Sequence, residues 1–403
     1  MHIAPAGDNA LLVDLGDVTA AQLHAAASSV RGVKHVVRCT PGHSSLYVVF
    51  EATPDRDAVA AAIRTADKGQ RTTENEYTVP VSFRGENFAE FVAGKPDFFS
   101  RIREVRLQAR YLGFRAGFAY LDGWPEAWAM PRRPTSRPVL AGSFAIGGAV
   151  AGFYPINSPG GWNILGRTNA LPPIVPGDVI AIEPATHALE WTGPAAAAAR
   201  NPLFSVVAPG EAFDDVADAL VRRAVPGATV YECALVWPRL RFERGRVAVI
   251  CGPDGAVRRL DEVNPARIVG GLRGYIGVGE REDVIASIGR GDRLTIHAIA
   301  GPHDIGIGTI ECEVTPQLDR VGLRLRPLRA IDAAIPADLR SIGMQCGTVQ
   351  LHPDGSLVAM GPDHPVTGGY LQPMTVISSE RWKLAQLVPG ERFSLCISQL
   401  PRV

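Results

Sequence analysis

The chain is poor in lysine, with four among 403 residues, and its 41 basic side chains are balanced by 41 acidic ones. Proteins that bind nucleic acids or anionic membrane surfaces concentrate basic charge, so this balance gives no reason to expect either partner. No uncharged apolar run reaches the roughly 18 residues needed to span a bilayer. The first residues also lack the basic and then apolar segments of a signal peptide. The sequence therefore predicts a protein with neither nucleic acid nor membrane as a partner.

Several chemical signatures are missing as well. The six cysteines form no Cys-x-x-Cys pair and no cysteine–histidine group at metal-ligand spacing, which predicts reduced thiols, a cytoplasmic location and no metal site. The segment FVAGKP lacks the first glycine and the final serine or threonine of a phosphate-binding loop. No lysine lies between methionines, so covalently bound biotin is not expected. The absence of a G-x-S-x-G turn argues against an amide hydrolase that acts alone.

Short apolar runs broken by glycine and proline indicate a chain that is mainly β. Residues 1–76 contain two such runs and two helical segments, AAQLHAAASSV and DRDAVAAAIRTADKG, the second with Asp55 or Asp57 near its start. This range predicts a small α+β domain, followed by a polar joint, GQRTTENE. A β-rich domain is predicted over 77–200, with a helical insertion around NFAEFVAGKPDFFSRIREV, and another over 203–403. The joint between them falls near GPAAAAARNP, whose alanines are equally compatible with a helix.

The two β-rich regions share an internal pattern. AGSFAIGG, PGGW and VPGDVIAIEP occur in that order in the first, and CGTVQLHPDG, TGGY and VPGERFSLCI in the second. Each set places a Gly-Ser or Gly-Thr strand, a Gly-Gly-aromatic turn and a Val-Pro-Gly-acid strand in succession. Two diverged copies of one architecture explain the shared order of these segments better than a chance match does. Gly160-Gly161-Trp162 is therefore expected to occupy the same place in its copy as Gly368-Gly369-Tyr370 does in the other.

The segment SPGGWNILGRT, residues 158–168, raises two possibilities. Gly160 and Gly161 allow another part of the chain or a ligand to approach closely, Trp162 can form one wall of a pocket, and Arg167 offers a planar fork for an anion. The alternative is a tight turn beside a core tryptophan. In PRRPTSR, prolines favour an extended, stiff segment that would hold its arginines in place, although a solvated basic loop is equally compatible.

Asp363 and His364 precede the second Gly-Gly turn and place a carboxylate and an imidazole near it. They are the predicted catalytic residues, with a simple turn as the alternative. The residues predicted to bind substrate or phosphate are Arg132, Arg133, Arg137, Tyr154, Ser158, Gly160, Gly161, Trp162, Arg167, Thr168, Thr367, Gly368, Gly369 and Tyr370.

Two families are recognisable in these strings. GDNALLVDLGD, GFRAGFAYL, PRRPTSR, AGSFAIGG, YPINSPGGWNILGRT and PGD resemble allophanate hydrolase subunit 1, also called KipI or the 5-oxoprolinase B subunit. LDRVGLRL, GTVQLHPDG, DHPVTGGY and LAQLVPGERF resemble its partner family, allophanate hydrolase subunit 2, also called KipA or the 5-oxoprolinase C subunit. The chain thus resembles a fusion of both. The resemblance implies an α+β N-terminal domain and two cyclophilin-like β-barrel domains, the last one shortened.

The sequence also departs from these families. GFRAGF has Ala116 where the first family has proline, and no histidine precedes it in REVRLQARYLGF. The QDxGRxG stretch that opens the second family has no counterpart in residues 203–270. These departures leave the activity of the second half open.

The resemblance implies three functions. The first is a hydrolase component of an ATP-dependent 5-oxoprolinase, which opens the small amide 5-oxoproline to glutamate with a separate A subunit of the LamB/YcsF type. ATP, with or without Mg²⁺, would be its cofactor. The second is a urea carboxylase-type or urea amidolyase-type carboxyltransferase module visited by carboxybiotin. The third is a non-enzymatic interaction protein that regulates a kinase, which the missing QDxGRxG segment favours.

Overall fold

The structure is a computed structural model that describes residues 1–66, 75–114, 118–133, 137–185, 204–207, 212–238, 240–241, 246–280, 292–303, 305–334, 336 and 339–398. Both predicted joints lie mainly outside these ranges, as do Ala116 of GFRAGF and the middle of PRRPTSR. Within the described part of the chain, no helix is both long and apolar enough to cross a membrane.

The N-terminal domain, residues 1–66, is a four-stranded sheet covered by two helices. Its elements are β1 His2–Pro5, β2 Ala10–Asp14, α1 Ala20–Arg31, β3 Val36–Pro41, β4 Ser45–Phe50 and α2 Arg56–Thr65, and the strand order is β1-β2-β4-β3. Thr19 and Gln22 form a capping box at the start of α1, and the Asp55 side chain accepts a hydrogen bond from the Ala58 N–H at the start of α2. Both predicted helices and the α+β architecture are confirmed.

The first barrel, residues 76–184, is a seven-stranded sheet with the order β12-β9-β10-β7-β6-β13-β5. Its elements are β5 Glu76–Val81, α3 Phe88–Val92, α4 Phe98–Arg101, β6 Arg106–Phe114, β7 Phe118–Asp122, β8 Arg137–Val139, β9 Ser143–Ile146, β10 Ala151–Phe153, β11 Ser158–Gly160, β12 Asn163–Arg167 and β13 Val179–Pro184. The edge strands approach each other through a two-way backbone pairing of Ser82 with Arg167, at 2.9 and 3.0 Å. The helical insertion is confirmed as α3 and α4, which pack a cluster of phenylalanines onto the core.

A middle domain, residues 204–280, has a sheet of its own. Its elements are β14 Phe204–Val207, α5 Asp215–Ala224, β15 Val230–Ala234, β16 Val236–Trp237, β17 Leu240–Arg241, β18 Arg246–Cys251, β19 Val257–Leu260, β20 Glu262–Val263, β21 Ala266–Arg267 and β22 Arg273–Glu280. The main sheet has the order β14-β15-β22-β18-β19, and α5 packs its apolar side on it.

The second barrel, residues 292–398, is a closed seven-stranded barrel with the order β23-β30-β27-β28-β25-β24-β31. Its elements are β23 Thr295–Ala300, β24 Thr309–Leu318, β25 Gly322–Pro327, β26 Ile342–Gly343, β27 Thr348–Leu351, β28 Leu357–Met360, β29 Thr367–Gly368, β30 Leu371–Val376, α6 Arg381–Gln386 and β31 Arg392–Ile397. The sequence predicts one domain over 203–403, and the described residues of that range form a five-stranded sheet, the closed barrel and three two-stranded ribbons. The internal repeat covers only the barrel, and α5 builds a second apolar core that the repeat does not include.

The strand order bears out the predicted repeat. Strands β5 to β13 of the first barrel correspond, in chain order, to strands β23 to β31 of the second, and equivalent strands have the same neighbours in both barrels. The exception is the pairing that closes the barrel. In the second barrel β23 pairs with β30, whereas in the first the edges at β5 and β12 meet only at the Ser82–Arg167 bridge. In each copy the first and last strands pair in parallel, β5 with β13 and β23 with β31. The short ribbon β8–β11 matches the ribbon β26–β29, so both Gly-Gly-aromatic turns leave equivalent strands.

The domains contact one another through partly buried hydrogen bonds. Arg110 of the first barrel donates from Nε to the His43 carbonyl at 2.6 Å and from Nη2 to the Val18 carbonyl at 2.8 Å, both in the N-terminal domain. The barrels meet where the Val366 N–H donates to the Gly113 carbonyl at 3.0 Å and the Thr367 hydroxyl donates to the Leu112 carbonyl at 3.1 Å. These contacts bring the second Gly-Gly turn close to β6 of the first barrel.

Candidate functional site

The turn of the first barrel, Gly160-Gly161-Trp162, is called the first corner. A Cβ atom built on Gly160 would lie 2.0 Å from the Tyr154 hydroxyl oxygen, so the glycine provides room for that tyrosine. The Tyr154 oxygen in turn accepts a hydrogen bond from the Trp162 backbone N–H, and burial raises the pKa of Tyr154 to about 12. The close approach expected at this glycine is thus made by a tyrosine of the same chain.

Trp162 is 5% exposed and packs in an apolar cluster with Phe118 and Tyr154. Its ring centroid lies 5.3 Å from that of Phe118 in an edge-to-face arrangement, and the indole lies against the backbone at Gly147, where a built Cβ would be 2.9 Å away. The guanidinium carbon of Arg132 lies 5.2 Å from the indole centroid. The indole therefore belongs to the core and presents one face to an exposed cation.

Arg167 lines a pocket of about 390 Å³ beside the first corner, together with Arg84, Glu86, Ser82 and Ser143. The half-buried Arg167 donates from Nε to the Ala141 carbonyl at 3.0 Å, which fixes the plane of its guanidinium. Two arginines and two serines around one pocket can bind a carboxylate or a phosphate group.

The other predicted residues of this half have structural contacts. Arg137 forms an ion pair with Glu86 at 2.5 Å and donates to the Asn87 side chain at 2.8 Å, so its fork is engaged by the protein. The Arg133 N–H donates to the Gly161 carbonyl at 2.8 Å, and its side chain is exposed. Ser158 pairs with Val139 in the ribbon. Thr168 is fully buried and caps the Ala170 N–H.

The second corner, Gly368-Gly369-Tyr370, differs in polarity from the first. The Tyr370 ring is 40% exposed and stacks on His352 with centroids 4.2 Å apart. A Cβ on Gly368 would lie 2.5 Å from the buried Gln350 amide nitrogen, so this glycine also makes room for a side chain, while Gly369 is exposed. Thr367 anchors the turn to β6 as described above.

Tyr120 of β7 links the two corners. Its ring stacks on Tyr111 at 4.5 Å and meets Trp162 edge-on at 5.4 Å. Burial raises the pKa of Tyr120. The charge of Arg132 and a hydrogen bond from its side chain lower this pKa, whereas the charge of Tyr370 raises it further. Arg132 and Trp162 thus contact one half-buried tyrosine near the junction of the barrels, and Tyr370 lies close enough to influence its pKa. Nothing in the sequence spacing indicated Tyr111 or Tyr120.

Asp363 belongs to an ion-pair network. Arg320 donates from Nε to Asp363 at 3.1 Å and from Nη1 to Glu232 at 2.8 Å, which joins the second barrel to the middle domain. Glu232 also accepts from Arg273 at 3.2 Å and from the Tyr275 hydroxyl at 2.6 Å. Burial alone would raise the pKa of Glu232, but the two guanidiniums outweigh it and lower that pKa below 4.5.

His364 is 2% exposed, and its Nδ1 lies 2.5 Å from the Pro365 carbonyl oxygen. It lines a cavity of about 620 Å³ at the junction of three domains, here called the three-domain cavity. The N-terminal domain contributes Val37, Arg38 and Val49, the middle domain Ala212, Phe213 and Asp215, and the second barrel Gln345, Cys346, Pro362, His364 and Arg381. Most of the predicted residues thus lie at or near the two corners, whereas His364 lies at this cavity and Asp363 in the ion-pair network.

Among the described residues, no group of three or more His, Cys, Asp or Glu side chains is arranged to hold a metal ion.

The chain is similar in sequence to two family models and to several curated proteins. The family model described as carboxyltransferase domain, subdomain C and D, matches residues 1–171, and the model described as subdomain A and B matches residues 293–396. The chain is 32% identical over 187 residues to the 5-oxoprolinase B subunit of Haemophilus influenzae, covering 42% of this chain and 86% of that relative. The protein of the same name from Bacillus subtilis is 28% identical over 199 residues, covering 41% and 82%.

A solved structure shows the same overall fold. The crystal structure of TTHA0988 matches with a TM-score of 0.77 at 20% identity, over 97% of this chain and 99% of that one. Both barrels and the middle domain thus occur together in a second single chain.

Proposed function

Because this chain belongs to the family of the 5-oxoprolinase B subunit, we propose that it is a fusion of the B and C subunits of an ATP-dependent 5-oxoprolinase. In this role it opens the lactam of 5-oxoproline to glutamate together with a separate A subunit of the LamB/YcsF type. The observation that carries the proposal is the presence of both matched halves, 1–171 and 293–396, in one chain.

The chemistry explains why ATP would be needed. A lactam carbonyl is a poor electrophile, and transfer of the γ-phosphoryl group of ATP to its oxygen, with loss of ADP, would activate the carbon for attack by water. Addition of one water and cleavage of the C–N bond, with a proton delivered to nitrogen, would give an acyl phosphate, which a second water would hydrolyse to glutamate and phosphate. Charge develops on oxygen in these steps, so fixed cationic donors lower the barriers.

The residues of this chain divide these tasks. Arg167 and Arg84 bind the anionic group in the pocket beside the first corner, where the Ala141 carbonyl holds the Arg167 fork in one orientation. Arg132 supplies a further cation at the junction of the barrels. His364, which lines the three-domain cavity, or Asp363, which is paired with Arg320, handles a proton, and the A subunit supplies the remaining phosphate contacts.

The decisive experiment compares the purified chain with and without a candidate A subunit. Glutamate release from 5-oxoproline is measured in the presence and absence of ATP, and we expect release only from the mixture with ATP. Glutamate release by the chain alone would refute this division of labour.

Arg167→Lys tests the pocket. The substitution keeps the charge and removes the fork, so we expect activity in the mixture to fall about tenfold or more, roughly 1.4 kcal/mol. Loss of the hydrogen bond to the Ala141 carbonyl should reduce stability only slightly. Arg258→Lys, at an exposed ion pair of the middle domain, is the control. Full activity of a stable Arg167→Lys protein would return this residue to a structural role.

A carboxyltransferase function is the second candidate, because both matched family models carry that description. In this case the chain would transfer a carboxyl group from carboxybiotin on another protein to a small amide such as urea. Incubation with free carboxybiotin and urea distinguishes the two functions, since urea-dependent loss of carboxybiotin without ATP favours the second.

A further inference from the structure

The three-domain cavity has the size of a small-molecule site. Its volume of about 620 Å³ lies within the range of roughly 300–1,000 Å³ typical of ligand pockets. Its wall joins an apolar part, which includes Val37, Val49 and Pro362, to a polar part, so a ligand with a short hydrocarbon body and charged ends would be complementary.

Two arginines from different domains supply the positive charge. Arg38 lies on β3 and Arg381 at the start of α6. The charges of both arginines lower the pKa of the Cys346 thiol, although burial has the larger effect and raises that pKa. The Arg381 Nη2 donates to the Asn9 side chain at 3.3 Å. Its Nε is buried and has no hydrogen-bond partner among the described residues. A buried guanidinium donor without a partner is costly, and a bound carboxylate would satisfy it.

One carboxylate faces these cations. Asp215 is the first residue of α5, and its side chain reaches solvent. Desolvation by the surrounding protein raises its pKa, and the neighbouring charge of Asp214 raises it further. Arg381 acts in the opposite direction. An ammonium group placed beside Asp215 would favour its charged form.

We propose that the three-domain cavity binds a free acidic amino acid, with its carboxylates at Arg38 and Arg381, its ammonium at Asp215 and its methylene groups on the apolar wall. Two cations and one anion match a ligand with two carboxylates and one ammonium. Because glutamate is the product of the proposed reaction, the choice of glutamate as the probe rests on the proposed function. The binding itself requires neither ATP nor the A subunit.

Titration calorimetry on the full-length chain alone tests this, with glutamate, glutarate and inorganic phosphate as separate probes. We expect glutamate to bind more tightly than glutarate, which lacks the ammonium, and phosphate to bind weakly because it cannot use the apolar wall. Arg381→Gln should weaken glutamate binding about tenfold or more, and Arg381→Lys should weaken it less. Asp215→Asn should remove the preference for glutamate over glutarate.

Arg222→Gln, outside the cavity on α5, is the matched control and should leave glutamate binding unchanged. Circular dichroism on each variant establishes that it is folded. Equal affinity for phosphate and glutamate, or no glutamate binding by the unmodified chain, would overturn the proposal. Calorimetry measures binding without turnover, so the two proposals can be tested separately. The chain can fail to bind glutamate while its mixture with the A subunit releases glutamate, or it can bind glutamate while the mixture is inactive.

Discussion

Gly160→Ala tests the packing at the first corner. The new Cβ would lie 2.0 Å from the Tyr154 hydroxyl oxygen, 2.7 Å from Cζ and 2.9 Å from Cε1. Tyr154 is 4% exposed, and its ring centroid lies 4.9 Å from that of Phe118, so it has little room to move. Overpacking of this kind costs about 1–3 kcal/mol, and we expect a loss of that size in the unfolding free energy, measured by chemical denaturation.

A double-mutant cycle with Tyr154→Phe isolates the cause. Tyr154→Phe alone removes the hydrogen bond from the Trp162 N–H and should cost about 0.5–1.5 kcal/mol. Phenylalanine lacks the oxygen that clashes with the new Cβ, although its ring edge remains. The unfolding free energy of the double variant should therefore fall by less than the sum of the two single losses, with a difference of about 0.5 kcal/mol or more.

Gly308→Ala is the control, because a Cβ there meets nothing within 4 Å. If Gly160→Ala costs no more than Gly308→Ala, or if the two losses in the cycle simply add, steric contact with Tyr154 is not the reason for this glycine.

Two further predictions concern buried ionisable groups. Glu232→Gln leaves Arg273 and Arg320 facing a neutral amide and should cost about 3–5 kcal/mol. The folded-state pKa of Glu232 lies below 4.5, so its contribution is present above that pH and is lost as the pH falls through the folded value. Denaturation midpoints should therefore fall less between neutral and acid pH in Glu232→Gln than in the unmodified protein, and an equal fall would contradict this. Burial raises the pKa of Cys346 to about 11, so iodoacetamide should label it slowly at neutral pH in the native protein and quickly after denaturation, as followed by mass spectrometry. Rapid native labelling would show that the thiol is ionised or more open than its burial indicates.

The sequence predicted the features that depend on local or repeated patterns. The two helices of the N-terminal domain, the cap at Asp55 and the relationship between the two barrels follow from composition, spacing and turn residues that are visible along the chain. The second, polar corner was also placed correctly relative to the first, because the Gly-Gly-aromatic turn recurs at the same point of each copy.

Features that depend on distant contacts were not predictable in this way. Tyr154 explains Gly160, yet nothing in their spacing distinguishes a tyrosine that fills this space from a ligand that does. The cavity residues Arg38, Asp215 and Arg381 come from three domains, and each lies in a segment without a recognisable pattern. The five-stranded sheet of the middle domain lies outside the repeat, so the repeat gives no information about it.

The parallel pairing that completes each barrel has a consequence for synthesis. Glu76 pairs with Val179, and Thr295 with Ser394, so the first strand of each barrel must wait for the last to be made. Pairings between positions far apart in the chain slow folding, since loop closure must precede the stabilising contacts. On the ribosome, the first barrel can close while the second is still being translated. The second barrel can close only after β31, Arg392–Ile397, has been made, so the three-domain cavity, to which this barrel contributes, forms later than the first barrel.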